Sequence, residues 1–159
     1  MKTIVGDLLE LADDGQFDII VHGCNCQHIM GGGIAKFIRQ RWPGVYEVDC
    51  QTIKGDATKL GTFSVALLIP KNKEWTPFFR VLNAYTQFNP GDDEDGNPPI
   101  DYEAVRKAFR QVKLQYGGQG HTFGIPKIGA GLAGGDWEIL AAIIEDEMAG
   151  EDLTLVVLE

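Results

Sequence analysis

Apolar and polar positions along this chain follow two periods, one for strands and one for helices. "KTIVG" (2–6) is a short apolar run and reads as a strand. "FDIIVHG" (17–23) is apolar at consecutive positions, between Asp13-Asp14-Gly15 and Gly23, which predicts a central strand buried on both faces. In "GIAKFIRQRW", Ile34, Phe37, Ile38 and Trp42 recur at helical spacing, and Pro43 follows as a stop signal. "TFSVALLIP" and "FFRVLNAYTQ" read as two further strands, the first ended by Pro70. A second helix is predicted in "DYEAVRKAFRQVKLQYG", with Val105, Ala108, Phe109 and Val112 as its apolar stripe, Asp101 as N-cap and Gly117 at C′. "HTFGIP" is a short strand. "DWEILAAIIEDEM" is a helix with Ile139, Leu140, Ile143, Ile144 and Met148 on one face and Asp136 at the N-cap position. "LTLVVLE" closes the chain as a strand.

Strands alternating with helices predict an α/β domain built on a mostly parallel sheet. No internal repeat or long linker divides the chain, so residues 1–159 are expected to form a single domain. In such sheets ligands bind beyond the C-terminal strand ends, where loops lead into helices. Two junctions fit: "VHGCNCQHIMGGGIAKF" and "FGIPKIGAGLAGGDWEIL". In each, an apolar strand runs through a glycine-rich loop into a helix. Glycine lets the backbone approach a ligand closely, and successive amides at a helix start form an anion nest. Two such loops facing each other would grip a diphosphate. Neither is a Walker A loop, and "GLAGGD" only loosely imitates a dinucleotide fingerprint.

Charge sharpens this picture. The net charge is -9, so the overall field does not favour nucleic acid or anionic membrane, and an anionic ligand must be held locally by backbone N–H groups. "FNPGDDEDGNPP" (88–99) is an acidic loop by composition, expected to be exposed, mobile and, with Asp92, Asp93, Glu94, Asp95 and nearby Asp101, to stay away from a bound phosphate. No apolar stretch has membrane-spanning length, and the N-terminus lacks the pattern of a signal peptide. Three cysteines, two of them in C-x-C, do not make a disulfide framework, so a reducing, cytoplasmic setting is expected.

His22, Cys24, Cys26 and His28 recur at every second position and invite a metal reading. Alternate residues of an extended strand spread along a line, whereas a tetrahedral site gathers ligands from separate segments. Gly23 also breaks the extension. No metal is expected, and Cys24 and Cys26 read as small buried residues.

"VGD", "DIIVHGCNCQHIMGGGIAKFIRQRWP", "KLGTFSVAL", "VLNAYTQ" and "FGIPKIGAGLAGGDWEIL" occur in the order seen in macro domains, which the chain resembles from end to end. It looks most like the small stand-alone proteins described as ADP-ribose 1″-phosphate phosphatases. The resemblance implies a three-layer α/β/α fold with a mixed, mostly parallel central sheet and an ADP-ribose cleft along the strand ends. By motif, Asp7 would accept from the adenine amino group and the Leu8 amide would donate to the ring. Asn25 would contact the distal ribose. Gly31, Gly32, Gly33 and Ile34 would line the distal ribose and diphosphate. Ile128, Gly129, Ala130, Gly131, Leu132 and Ala133 would form the second diphosphate loop. The rival readings are Asp7 as a cap of the short turn beginning at Leu8, and Asn25 as a turn residue.

The implied reaction is hydrolysis of ADP-ribose 1″-phosphate to ADP-ribose and phosphate, with no cofactor. Candidate catalytic groups are His22, at a strand end, Asp136, after the second loop, and Asn25. His22 reads equally as a core histidine, and Asp136 as an N-cap. Asn83 and Tyr85 are candidates to orient the distal ribose, and His28 to contact phosphate. Macro domains that work through a lysine adduct carry a lysine near "YTQ" and an aspartate in the second loop. Here Tyr85-Thr86-Gln87-Phe88 has no lysine, and Ala133 takes the aspartate's place. The alternatives are water-based removal of ADP-ribose from an ADP-ribosylated protein, or binding without turnover.

Overall fold

The computed structural model describes residues 1–71 and 77–159. In chain order the elements are β1 (Lys2–Val5), α1 (Leu8–Asp13), β2 (Ile19–Asn25), α2 (Gly33–Arg41), α3 (Pro43–Cys50), β3 (Phe63–Leu68), β4 (Phe79–Gln87), α4 (Tyr102–Tyr116), β5 (Thr122–Ile125), α5 (Trp137–Glu147) and β6 (Asp152–Val157), with a 3-10 turn at Ala57–Lys59. The six strands form one sheet in the order β1-β6-β5-β2-β4-β3. All neighbours run parallel except β3 and β4, whose short connection permits an antiparallel pair.

Side chains sort onto the two faces of the sheet by the period of two. Ile19, Val21, Leu82, Ala84, Phe123 and Leu155 face one way and pack with Val105, Phe109 and Val112 of α4 and with Leu140, Ile143 and Ile144 of α5. Ile20, Cys24, Val81, Tyr85 and Val156 face the other way and pack under α1, α2 and α3 through Leu9, Ala12, Ile38 and Val45. The result is the mixed, mostly parallel sheet between two helical layers that the sequence predicts.

The differences are local. Pro43 does not end the helical segment; it occupies the first turn of α3, where its missing N–H is no loss. The α4 helix does not end on a left-handed Gly117: Gly117 is extended (φ -68°, ψ 150°), and Gly118 takes positive φ. Two predicted core positions face outward. Ile139 is 49% exposed and Phe37 59% exposed, while their neighbours Leu140 and Ile38 are fully buried.

Candidate functional site: a cleft across the strand ends

Five parallel strands deliver their C-terminal ends to the same side of the sheet. The residues at those ends, Gly6-Asp7 after β1, Asn25 and Gln87 ending β2 and β4, Pro126 after β5 and Leu158 after β6, all line one cleft of about 1030 Å³. In sheet order, Asp7 marks one end, and Asn25 with Gln87 the other. From β1 to β4 there are four strand spacings, about 19 Å, so the cleft suits an extended ligand.

The first glycine loop is built by Asn25. The strand register between β2 and β4 shifts between Cys24 and Asn25, a bulge that turns the chain out of the sheet. Asn25 Oδ1 then accepts from the amides of Gln27 (2.9 Å) and Ile29 (3.4 Å), and Asn25 Nδ2 donates to the Ile29 carbonyl at 2.8 Å. From outside, the Gly55 amide donates to the Cys26 carbonyl, and the Tyr46 hydroxyl to the His28 carbonyl. The chain next enters α2 at Gly32, an N-cap that supplies no side-chain hydrogen bond. The amides of Gly31 and Gly32 have no acceptor among the described residues. An uncapped helix start on a cleft wall is a donor-rich, electropositive surface.

The second loop, Pro126 to Gly135, is a chain of turns. Ile128 N donates to the Pro126 carbonyl at 2.8 Å, Gly134 N to Gly131 at 3.0 Å and Gly135 N to Gly129 at 2.7 Å. Gly129 requires its residue type twice over. Its φ is +74°, and a Cβ there would lie 2.5 Å from Ile100 Cδ1. The amides of Gly131, Leu132 and Ala133 have no acceptor among the described residues. Leu132, 73% exposed, reaches across to the first loop, where a Cβ on Gly32 would meet Leu132 Cδ1 at 2.6 Å. The two loops therefore face each other over the middle of the cleft.

At the β1 end, Asp7 is both a cap and a cleft residue. Its Oδ1 accepts from the amides of Leu9 (2.9 Å) and Glu10 (3.2 Å), while Leu8 supplies the first helical amide, for which a helix has no internal partner.

The structure brings Asp7, Leu8, Asn25, Gly31, Gly32, Gly33, Ile34 and Ile128 to Ala133 together around this cleft. Five of the sequence candidates do not line it. His22, Asn83 and Tyr85 lie on the face of the sheet covered by α3, at 0%, 0% and 1% exposure. Their period-two alternation points them into the core, away from the strand ends. Asp136 caps α5, accepting from Glu138 N at 2.9 Å, and opens onto a shallow surface groove with Arg106 and Asp146. His22 and Asp136, the candidate acid–base groups, are not among the residues that line the cleft. His28 also turns aside, taking φ +58° and placing Nε2 3.2 Å from Thr52 Oγ1.

His22, Asn83 and Tyr85 form a buried polar chain instead. Asn83 Nδ2 donates to the Val45 carbonyl (3.2 Å) and to Ser64 Oγ (3.1 Å), which fixes the amide orientation. Asn83 Oδ1 is then an acceptor, so the 2.6 Å contact with His22 Nε2 makes His22 the donor, in its Nε2–H tautomer. Burial pushes the His22 pKa down to about 4, against the raising effect of that hydrogen bond. The chain continues from Ser64 Oγ to the Tyr85 hydroxyl at 2.9 Å, and from there to buried Asp49 at 2.8 Å. Burial raises the Tyr85 pKa, and burial likewise pushes the Cys24 thiol up, keeping it neutral. Among the described residues no group of three or more His, Cys, Asp or Glu side chains is placed to hold a metal ion.

Sequence reasoning missed Phe37, Arg41, Gln87, Pro90, Lys127 and Leu158 as cleft residues. Phe37 carried a signal, a large apolar residue at the edge of a helical stripe. The acidic loop is nearer than expected. The Cys26 amide donates to the Phe88 carbonyl, and Pro90 lines the cleft, although Asp92, Asp93, Glu94 and Asp95 do not. Asp93 folds inward on its own loop, accepting from the amides of Asp95 and Asn97.

Known proteins share this arrangement. The sequence matches the macro domain family over residues 21–144. A 17.5 kDa protein of Enterobacteria phage T4, encoded in the tk-vs intergenic region and uncharacterised, is 33% identical over 98% of this chain and 95% of its own length. The ADP-ribose 1″-phosphate phosphatase of Debaryomyces hansenii is 28% identical over 91% of this chain and 92% of its own. The structure of a Bacteroides thetaiotaomicron protein of unknown function superposes with a TM-score of 0.82 at 28% identity, covering 100% of this chain and 99% of that one. With the sheet order, the paired glycine loops and the strand-end cleft all in place, the match leads to one conclusion: this chain belongs to the macro domain family.

Proposed function

We propose that the cleft binds ADP-ribose and that the protein hydrolyses ADP-ribose 1″-phosphate to ADP-ribose and phosphate. The observation that carries the reading is the pair of glycine loops whose uncommitted amides face each other across the strand ends of an acidic protein. Backbone donors hold a diphosphate without a basic patch. The adenine takes the β1 end, where the second oxygen of Asp7 accepts from its amino group and the Leu8 amide donates to the ring. The diphosphate lies between Gly31–Ile34 and Ile128–Ala133. The distal ribose reaches Asn25, whose Nδ2 keeps one N–H beyond the bond to Ile29.

Hydrolysis attaches water oxygen to phosphorus, breaks the bond from phosphorus to the ribose 1″ oxygen, and returns a proton to that oxygen. Asn25 and Gln87, which end β2 and β4 on the cleft wall, carry no charge, and the Cys24 thiol beside Asn25 is neutral. Asn25 and Gln87 therefore position water and phosphate, and the substrate phosphate takes the water's proton. A second reading, ADP-ribose binding without turnover, is favoured by the burial of His22 and the capping role of Asp136. Titration calorimetry with ADP-ribose tests the ligand, and phosphate release from ADP-ribose 1″-phosphate tests the activity. Absence of heat at millimolar ADP-ribose refutes the first. Phosphate release no faster than that of a cleft-blocked Gly32→Glu variant leaves the binding-only reading.

A further inference from the structure

Arg41 lines the cleft but belongs to neither the glycine loops nor the strand ends. It ends α2, lines the cleft at its β1 end, and is held from two sides by α1. Its Nε donates to Asp13 Oδ2 at 2.5 Å, and Nη2 to Glu10 Oε1 at 3.0 Å. Asp13 is fully buried, and its other oxygen accepts from the Trp42 indole at 3.3 Å. The guanidinium plane is therefore fixed against a carboxylate that cannot move away. A guanidinium carries five N–H donors; two are committed, and Nη1 has no acceptor among the described residues. Its side-on edge, Nε with Nη2, is occupied by two carboxylates that already offset its charge, and three N–H groups remain, two on Nη1 and one on Nη2. Asp7, one turn before Glu10 on α1, adds a third carboxylate at this end. The facing cation from the chain beyond β3 is Lys71, whose Nζ lies 3.3 Å from the Arg41 carbonyl and which does not line the cleft.

We infer that Arg41 is a specificity-determining residue: it donates to a neutral acceptor on the adenosine half of the ligand, and with its charge outnumbered by the carboxylates of Asp7, Glu10 and Asp13 it selects against an adenosine that carries a 2′-phosphate. The inference rests on the ADP-ribose reading of the cleft. A neutral ribose or base oxygen needs one donor, which Nη1 supplies. A 2′-phosphate would bring two further negative charges beside Asp7 and Glu10, against one guanidinium that already serves two carboxylates.

The test is calorimetry with ADP-ribose and with ADP-ribose bearing a 2′-phosphate on its adenosine ribose. Wild type is expected to prefer the unphosphorylated ligand by at least about tenfold. Glu10→Gln, at an exposed position, removes one carboxylate charge, and should narrow that preference to about threefold or less. A merely structural role for Glu10 would move both affinities together and leave their ratio unchanged, which overturns the inference. Equal binding of both ligands by wild type overturns it too, with the ADP-ribose reading intact. No binding of either ligand overturns that reading and this inference with it.

Discussion

Protonating His22 should destabilise the fold in a defined pH window. The ring is fully buried, donates to Asn83 Oδ1 and has a pKa near 4, against 6.5 for a free histidine. Its folded pKa lies below its unfolded one, so the unfolded chain binds the extra proton between those values. Stability is complete above pH 6.5 and falls as pH drops toward 4. One pKa unit corresponds to about 1.4 kcal/mol, so the loss is about 2 kcal/mol at pH 5 and about 3 kcal/mol at pH 4. Other groups titrate in this range, and a variant isolates the histidine. His22→Gln keeps an N–H donor for Asn83 but cannot ionise. Urea unfolding of both proteins from pH 7.5 to 4 gives the difference curve directly. Wild type should lose about 2 kcal/mol relative to His22→Gln between pH 7 and pH 5. Parallel curves would refute the burial argument. The same variant should bind ADP-ribose as wild type does, since His22 does not line the cleft.

Three other substitutions probe the cleft. Gly32 is extended (φ -142°, ψ 163°), so Gly32→Glu adds no backbone strain, yet its Cβ displaces Leu132 and its carboxylate fills the anion nest. ADP-ribose affinity should fall by about a hundredfold or more with little change in Tm, and calorimetry with thermal melting checks both. Asp7→Ser retains an N-cap acceptor, so Tm should hold while ADP-ribose affinity drops about tenfold in calorimetry; unchanged affinity would leave Asp7 with capping alone. Gly129→Ala strains a left-handed backbone and pushes its methyl into Ile100, and should cost about 2–4 kcal/mol in urea unfolding.

The glycine loops are legible in the sequence because the requirement is local. A residue at φ +74°, as Gly129 is, favours glycine wherever the loop is placed. The helix caps Asp101 and Asp136 are legible for the same reason, each accepting from an amide two or three residues on. His22 is not. A histidine at the end of an apolar run looks the same in sequence whether it lines the cleft or faces α3, and the fold buries it under α3. Nothing nearby in the chain marks the difference, because its partners Asn83 and Ser64 arrive from β4 and β3.

The sequence by itself determined the α/β alternation, the two nests and the means of holding an anion without net positive charge, since all of these follow from periodicity and backbone chemistry over ten to twenty residues. Tertiary structure decided what shares a wall. Parallel pairing brought the ends of β1, β2, β4, β5 and β6 to one edge, and with them Asp7, Asn25, Gln87, Pro126 and Leu158, distant in sequence and adjacent only through the sheet order. It also decided that Arg41 points at Asp13 rather than at solvent, because the burial of that carboxylate between α1 and α2 is a property of their packing and of no short segment alone.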